Sequence, residues 1–163
     1  MIAAEKRGIT VKNVSGYSTE SVMQSTFSLV FQLVHQTRYY SDYIREKKWS
    51  NCPTFTNISR PFFELKAKRW GIIGMGNIGQ RVAEVATSFG CEVCYFSTSG
   101  KNSGQAYPQV SLDELMSSCE VISIHAPLNA QTENLITAPQ LSQMKQRAVI
   151  INVGRGGLLM NKI

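Results

Sequence analysis

One short run constrains this chain more than any other. Gly74-Met75-Gly76-Asn77-Ile78-Gly79 is a G-x-G-x-x-G set directly after the apolar segment Trp70-Gly71-Ile72-Ile73 and directly before a stretch of helical period. Alone, a glycine pattern says little, because glycines are common in turns. Strand before and helix after is the context in which the pattern cradles a dinucleotide. Gly74 permits the tight turn, Gly76 lets the backbone come close to a pyrophosphate, and Gly79 lets the helix pack on the strand. The helix N-terminus adds unpaired N–H groups and a partial positive charge. The alternative is a structural glycine turn that holds nothing.

The rest of the C-terminal half follows the same alternation. Strands are expected at Arg69–Gly74, Cys91–Phe96, Val121–His125 and Ala148–Val153. Between them, Asn77–Phe89 places Ile78, Val82, Val85, Ala86 and Phe89 on one helical face, and Gly90 can stop that helix in the left-handed conformation. Helices at Leu112–Ser118 and Ala138–Lys145 open with the capping boxes Ser111-Leu112-Asp113-Glu114 and Thr137-Ala138-Pro139-Gln140. Such alternation gives an α/β fold, a Rossmann-type parallel sheet with flanking helices and right-handed crossovers.

Upstream the pattern differs. Ile9–Val14 reads as a short strand and Ser15–Ser18 as a turn. A single long helix is expected from Thr19 to Glu46, with Ser18 as N-cap. Its apolar residues form two stripes, Val22, Leu29 and Leu33 on one and Met23, Phe27, Val30 and Val34 on the other. A helix apolar on two sides packs on both, within one chain or against a second copy. A homodimer through residues 19–46 is therefore expected, with a charge at Phe27 or Phe31 altering the mass. Residues 47–65 show no period and read as a surface connection.

The composition bounds the classes. A chain of 163 residues fits one domain of about 100–200 residues, large enough for a real core. It lacks an apolar run of membrane-spanning length and an N-terminal secretory pattern, so no membrane partner is expected. The net charge of +6 comes from residues 1–70, with eleven Lys/Arg against five Asp/Glu. These bases are interspersed with acids, so a solvated face is favoured over nucleic acid. Cys91 and Cys94 form a C-x-x-C, but i and i+3 on a strand face opposite sides. No second pair stands at zinc-ligand spacing. No metal is expected, and the free thiols suit a cytoplasmic location.

Discrimination between cofactors should appear about 20 residues after the glycine turn, where an Asp or Glu favours NAD. Here the strand runs into Ser97-Thr98-Ser99-Gly100-Lys101, with no acid. Hydroxyls followed by a lysine could hold a 2′-phosphate, which leans toward NADP or a relaxed choice between NAD and NADP. A polar loop without cofactor contact is the alternative.

The chain resembles the D-isomer-specific 2-hydroxyacid dehydrogenases over nearly its whole length. The resemblance lies in Val11–Val14, Tyr17–Val22, the glycine turn, Ser123-Ile124-His125-Ala126-Pro127-Leu128 with Thr132, and Ile151-Asn152-Val153-Gly154-Arg155-Gly156-Gly157. The nearest flavour is the glycerate dehydrogenase or hydroxypyruvate reductase branch. The resemblance implies that Asn77 and Ile78 approach the pyrophosphate, that Pro127 and Thr132 lie along the cofactor, and that Val153 stands beside the nicotinamide. Arg155 matches the family's catalytic arginine, whose planar fork clamps a substrate carboxylate. His125 matches a loop position rather than the family's acid–base histidine.

Family members are about twice as long, with a substrate domain before the cofactor domain. Residues 1–17 are accordingly expected to be a remnant of that domain and its hinge. Residues 18–65 form the long helix and connection, and residues 66–163 an incomplete NAD(P)-binding domain. Nothing before Ile163 matches the family's catalytic glutamate and histidine. The expected function is that of an NAD(P)-binding fragment of an oxidoreductase acting on a small 2-keto or 2-hydroxy acid, inactive by itself. A non-catalytic dinucleotide-binding module and a degenerate gene product are the alternatives. The strand Ala148–Val153 would be left as an exposed apolar edge.

Overall fold

The computed structural model describes residues 2–102 and 104–160. Its centre is a four-stranded sheet of β1 (Arg69–Ile73), β2 (Glu92–Phe96), β3 (Val121–Ile124) and β4 (Val149–Asn152). All pairings are parallel, in the order β2-β1-β3-β4. The expected Rossmann-type sheet is present, each strand within two residues of its expected ends. The order reverses direction between β1 and β3, the switch point at which open α/β sheets bind ligands.

Three layers result. Helices α2 (Thr19–Val34) and α4 (Asn77–Ser88) cover one face, burying Met23, Phe27, Val30, Trp70, Ile72, Val82 and Ile151. On the other face, α5 (Leu112–Ser118) and α6 (Ala138–Ser142) accompany a core of Ile73, Cys94, Leu115, Met116, Cys119, Ile122, Ile124, Ile136 and Leu158. Strand side chains alternate between these two cores, as a sheet covered on both faces requires. Cys91 and Cys94 fall into opposite cores, so the C-x-x-C does not converge.

The N-terminal expectations need three corrections. Residues 9–14 form no strand: they are exposed, and no neighbouring strand among the described residues offers them a ladder. A short α1 (Ile2–Glu5) precedes them. The single helix over 19–46 is two, α2 and α3 (Thr37–Arg45), broken where Gln36 adopts φ 54°. The break lets His35 stack on Phe31 at 5.2 Å and meet Phe62 at 5.8 Å. Beyond it, the Tyr40 hydroxyl donates to the carbonyl oxygens of Asn57 and Arg60 and pins the connection. Ser18 does precede α2 but caps no backbone N–H with its side chain.

The two stripes of α2 part company. Phe27 is 6% exposed, with its ring 4.9 Å from that of Trp70, whereas Leu29 and Leu33 are 40% and 50% exposed. A charge at Phe27 would therefore unfold the chain rather than probe a dimer.

Local signals at the other termini fare better. Gly90 takes φ +79° after α4 and donates its N–H to Thr87. Thr137 donates both its backbone N–H and its hydroxyl to Gln140 Oε1, at 3.2 and 2.6 Å. Helix α6 stops at Ser142, three residues short of expectation. At α5 only half of the capping box forms. Ser111 Oγ accepts from the Glu114 N–H, but the Glu114 carboxylate turns to the Arg69 guanidinium at 2.8 Å instead of reaching back. A charged partner outcompetes a backbone amide. Strand β4 lies at one edge of the sheet with only Ile151 buried, as the expected apolar edge requires.

Candidate functional site

The C-terminal ends of β1, β3 and β4 open onto one cleft of about 730 Å³. Ile78 from α4, His125 to Leu128 after β3, and Val153, Gly154 and Arg155 after β4 form its walls. Tyr17, Ser18 and Val22 close it from the start of α2.

The glycine turn stands beside the cleft and places Ile78 in its wall, and each glycine has a distinct physical reason. Gly74 has φ +95°, and a β-carbon there would lie 2.9 Å from the Ala126 nitrogen. At Gly79 it would overlap the Gly74 carbonyl oxygen. At Gly76 it would meet nothing within 4 Å. Two glycines are thus demanded by the fold, while the third keeps open space in front of a helix N-terminus. No side chain caps that terminus, so its first N–H groups are left for a ligand. This cradle fits a dinucleotide pyrophosphate. Asn77 is exposed and Ile78 half-buried at its lip.

The loop after β3 is tied by Thr132. Its hydroxyl donates to the Pro127 carbonyl at 2.6 Å and accepts from the Asn129 N–H at 2.9 Å. Thr132 is buried and shapes the loop, while Pro127 reaches the cleft.

After β4, Asn152 does the equivalent work. Its Oδ1 accepts from the Gly154 N–H at 3.0 Å and its Nδ2 donates to the Arg155 carbonyl at 2.9 Å. This clamp fixes the turn that presents Arg155. The guanidinium is exposed, with one contact to the Gly154 carbonyl at 3.3 Å. Among the described residues the other donors of its fork have no partner, which suits an anionic ligand.

His125 is half-buried, between the buried Ile124 and Ala126. Trp70 Nε1 donates to Ser123 Oγ at 2.9 Å, and His125 Nε2 stands 3.0 Å from that oxygen. Burial pulls the imidazole down to about 4, so it is neutral. Ser123 is fully buried and must place its one hydroxyl proton, and His125 Nε2 is the acceptor beside it. The ring proton then sits on Nδ1, which is buried without a partner among the described residues. His125 is thus part of the cleft floor through a buried Trp–Ser–His chain.

Of the residues singled out by sequence, Ile78, Pro127, Val153 and Arg155 meet in the cleft, and Gly74, Gly76, Asn77 and Gly79 form the turn beside it. Ser97, Thr98, Ser99 and Lys101 lie apart, in the loop after β2. There Ser97 Oγ accepts from the Gly100 N–H at 3.1 Å and Ser99 Oγ from the Lys101 N–H at 3.3 Å. The Ser97 and Ser99 hydroxyls thus fold their own loop. Sequence reasoning passed over Asn152, Ser123 and Tyr17 as site residues. Asn152 stood two residues before a glycine in a strand-ending turn, a usable signal for an Asx turn.

The model of the D-isomer specific 2-hydroxyacid dehydrogenase NAD binding domain matches residues 27–162. This chain belongs to the D-isomer-specific 2-hydroxyacid dehydrogenase family. Within the family, a hydroxypyruvate reductase of Blautia hydrogenotrophica is 33% identical, over 98% of this chain and 50% of that protein. Among solved structures, the TT0316 protein from Thermus thermophilus superposes with TM-score 0.88 at 30% identity, over 99% of this chain and 50% of that one. An acyclic imino acid reductase (Bsp5) in complex with NADPH and D-Arg gives TM-score 0.82 at 34% identity, covering 97% and 50%. The chain spans about half the length of the curated family relatives it matches. No helix among the described residues is long and apolar enough to cross a membrane.

Proposed function

We propose that this chain supplies the NAD(P) site and the substrate-carboxylate arginine of a D-2-hydroxyacid dehydrogenase. Such an enzyme moves hydride between NAD(P)H and a small 2-keto or 2-hydroxy acid, with hydroxypyruvate or glyoxylate as the first substrates to try. One observation carries this reading: at Gly76 alone of the three glycines, the missing side chain leaves open space rather than a packing contact.

In this reading the N-terminus of α4 holds the pyrophosphate through its free N–H groups. Ile78 and Val153 wall the nicotinamide half of the cleft. The bound cofactor supplies or accepts the hydride. Arg155 clamps the substrate carboxylate and polarises the carbonyl beside it. Ser97, Thr98, Ser99 and Lys101 take a 2′-phosphate, so NADPH is preferred over NADH. Residues 1–17 then belong to a hinge and substrate domain, and residues 66–163 to the cofactor domain.

Of the titratable groups lining the cleft, Tyr17, His125 and Arg155, the last two do not suit proton transfer. Arg155 does not deprotonate in proteins, and His125 is held neutral with its Nε2 committed to Ser123. The chain by itself therefore binds cofactor without turnover, which also favours a binding module as the second reading. The exposed stripe of α2 at Leu29 and Leu33 forms a homodimer contact, and the location is cytoplasmic.

The test is a titration with NADPH and NADH beside an assay with hydroxypyruvate, glyoxylate and pyruvate. Binding without turnover supports the proposal. Turnover abolished by Arg155→Ala overturns the inactivity, and the absence of binding overturns the site.

A further inference from the structure

A second chemical site lies away from the cleft, in the core beneath α5. Cys94 of β2 and Cys119, the residue that ends α5, have sulfurs 3.6 Å apart. Both are fully buried and both are free thiols. The sequence does not pair them, because they stand 25 residues apart and the C-x-x-C draws attention to Cys91 instead.

Gly71 makes the meeting possible. It sits beside Cys94 in the β1–β2 register. A β-carbon at Gly71 would lie 2.6 Å from Leu115 Cγ and 2.9 Å from Cys119 Sγ. Its absence lets the end of α5 drop onto the sheet and brings the Cys119 sulfur to Cys94. Arg69 covers the pair from the rim, with Nη1 on Ser118 Oγ and Nη2 on Glu114 Oε1, each at 2.8 Å. The Cys119 thiol beside it, helped by this guanidinium, holds the Cys94 thiol below its ordinary value against the opposing effect of burial. Cys91 offers the contrast. It has no sulfur neighbour among the described residues, donates to the Leu65 carbonyl, and burial pushes it up to about 11.

We propose that Cys94 and Cys119 form a reversible disulfide when the chain meets a hydroperoxide. The Cys94 thiolate attacks the peroxide oxygen, the O–O bond breaks, and Cys94 becomes a sulfenic acid while water or an alcohol leaves. The Cys119 thiol then attacks the Cys94 sulfur and forms the S–S bond, and the sulfenic hydroxyl leaves with the thiol proton as one water. In sum, two thiols lose two electrons and two protons, and one hydroperoxide is reduced. Bond formation needs a further approach of about 1.5 Å from the observed contact. The pair is fully buried, so the reaction requires a local opening of α5, the seven-residue helix that Arg69 ties to the sheet through Ser118 and Glu114.

The test treats the folded chain with hydrogen peroxide, blocks the remaining thiols, and maps peptides by mass spectrometry. The expected product is a 94–119 linkage with loss of two hydrogens, reversed by dithiothreitol, with Cys91 still alkylatable after unfolding. In Cys119→Ser the linkage is lost and Cys94 sulfenic acid, trapped by dimedone, rises by about tenfold. Should that variant fail to fold by circular dichroism, Cys119→Ala serves the same purpose. Oxidation of Cys52 with Cys94 and Cys119 still reduced overturns the proposal. So does a 94–119 linkage that appears only in urea, or pairing of Cys94 with Cys52 or Cys91. None of these readouts depends on cofactor binding, so the proposal stands or falls apart from the dehydrogenase reading.

Discussion

Gly79 and Gly74 pack so closely that a β-carbon on Gly79 would overlap the Gly74 carbonyl oxygen. Gly76, midway between them, faces open space. The first relationship belongs to folding and the second to ligand binding, and substitution separates them. Gly79→Ala is expected to lower stability by about 1–3 kcal/mol through overpacking. Gly76→Ala is expected to leave the urea midpoint nearly unchanged and to weaken dinucleotide binding by about tenfold, since a methyl group stands where the pyrophosphate must approach. Urea denaturation and calorimetric titration of both variants check the pair.

Asn152 and Arg155 divide in the same way. Asn152→Ala removes both hydrogen bonds of the turn and leaves the Gly154 N–H and Arg155 carbonyl to find new partners. A loss of about 1–2 kcal/mol is expected. Arg155→Ala removes an exposed side chain with one long contact, and a change within about 0.5 kcal/mol is expected. Equal losses in chemical denaturation would show that the guanidinium is a structural group.

Much of the fold was legible because its signals are local. The β1–α4 unit announces itself in ten consecutive residues, and Gly90 and the Thr137–Gln140 cap stand where their residue types demand. The break at Gln36 was not legible. A glutamine at φ 54° carries none of the preference that glycine or asparagine would advertise, and the contacts that accompany the bend, His35 with Phe31 and Phe62, are tertiary. Ile9–Val14 has strand composition, but a strand needs a neighbour, and pairing is not a property of six residues. In the site, the Trp70–Ser123–His125 chain joins residues 53 apart at its Trp70–Ser123 link and depends on the β1–β3 register. Motif reading placed His125 in a loop and could not bury it.

His125 gives a pH prediction with a definite sign. Its folded value, about 4, lies below the ordinary 6.5 because burial penalises the charged ring. Between these values the unfolded chain binds a proton that the folded chain refuses. Stability associated with this group is therefore complete above pH 6.5 and declines as pH falls toward 4. His125→Gln is expected to flatten the urea midpoint against pH between about 7 and 4. Parallel curves for the two proteins would remove His125 as the source.

The exposed stripe of α2 tests assembly. Leu29→Asp with Leu33→Asp is expected to halve the sedimentation mass and leave the circular dichroism spectrum unchanged, because both side chains stand outside the core. Phe27→Asp is expected to unfold the chain, since its ring packs on buried Trp70. An unaltered mass in the double variant would exclude this face as the dimer contact.

The most direct test of the dinucleotide site is calorimetric titration of the wild-type chain with NADPH and NADH, repeated with Gly76→Ala. The glycine turn and the Ser97–Lys101 loop predict saturable binding, tighter for NADPH, and weakened by the substitution while the fold stays intact. Absence of binding to either cofactor, or binding that Gly76→Ala leaves unchanged, would contradict the assignment of that turn as the pyrophosphate cradle.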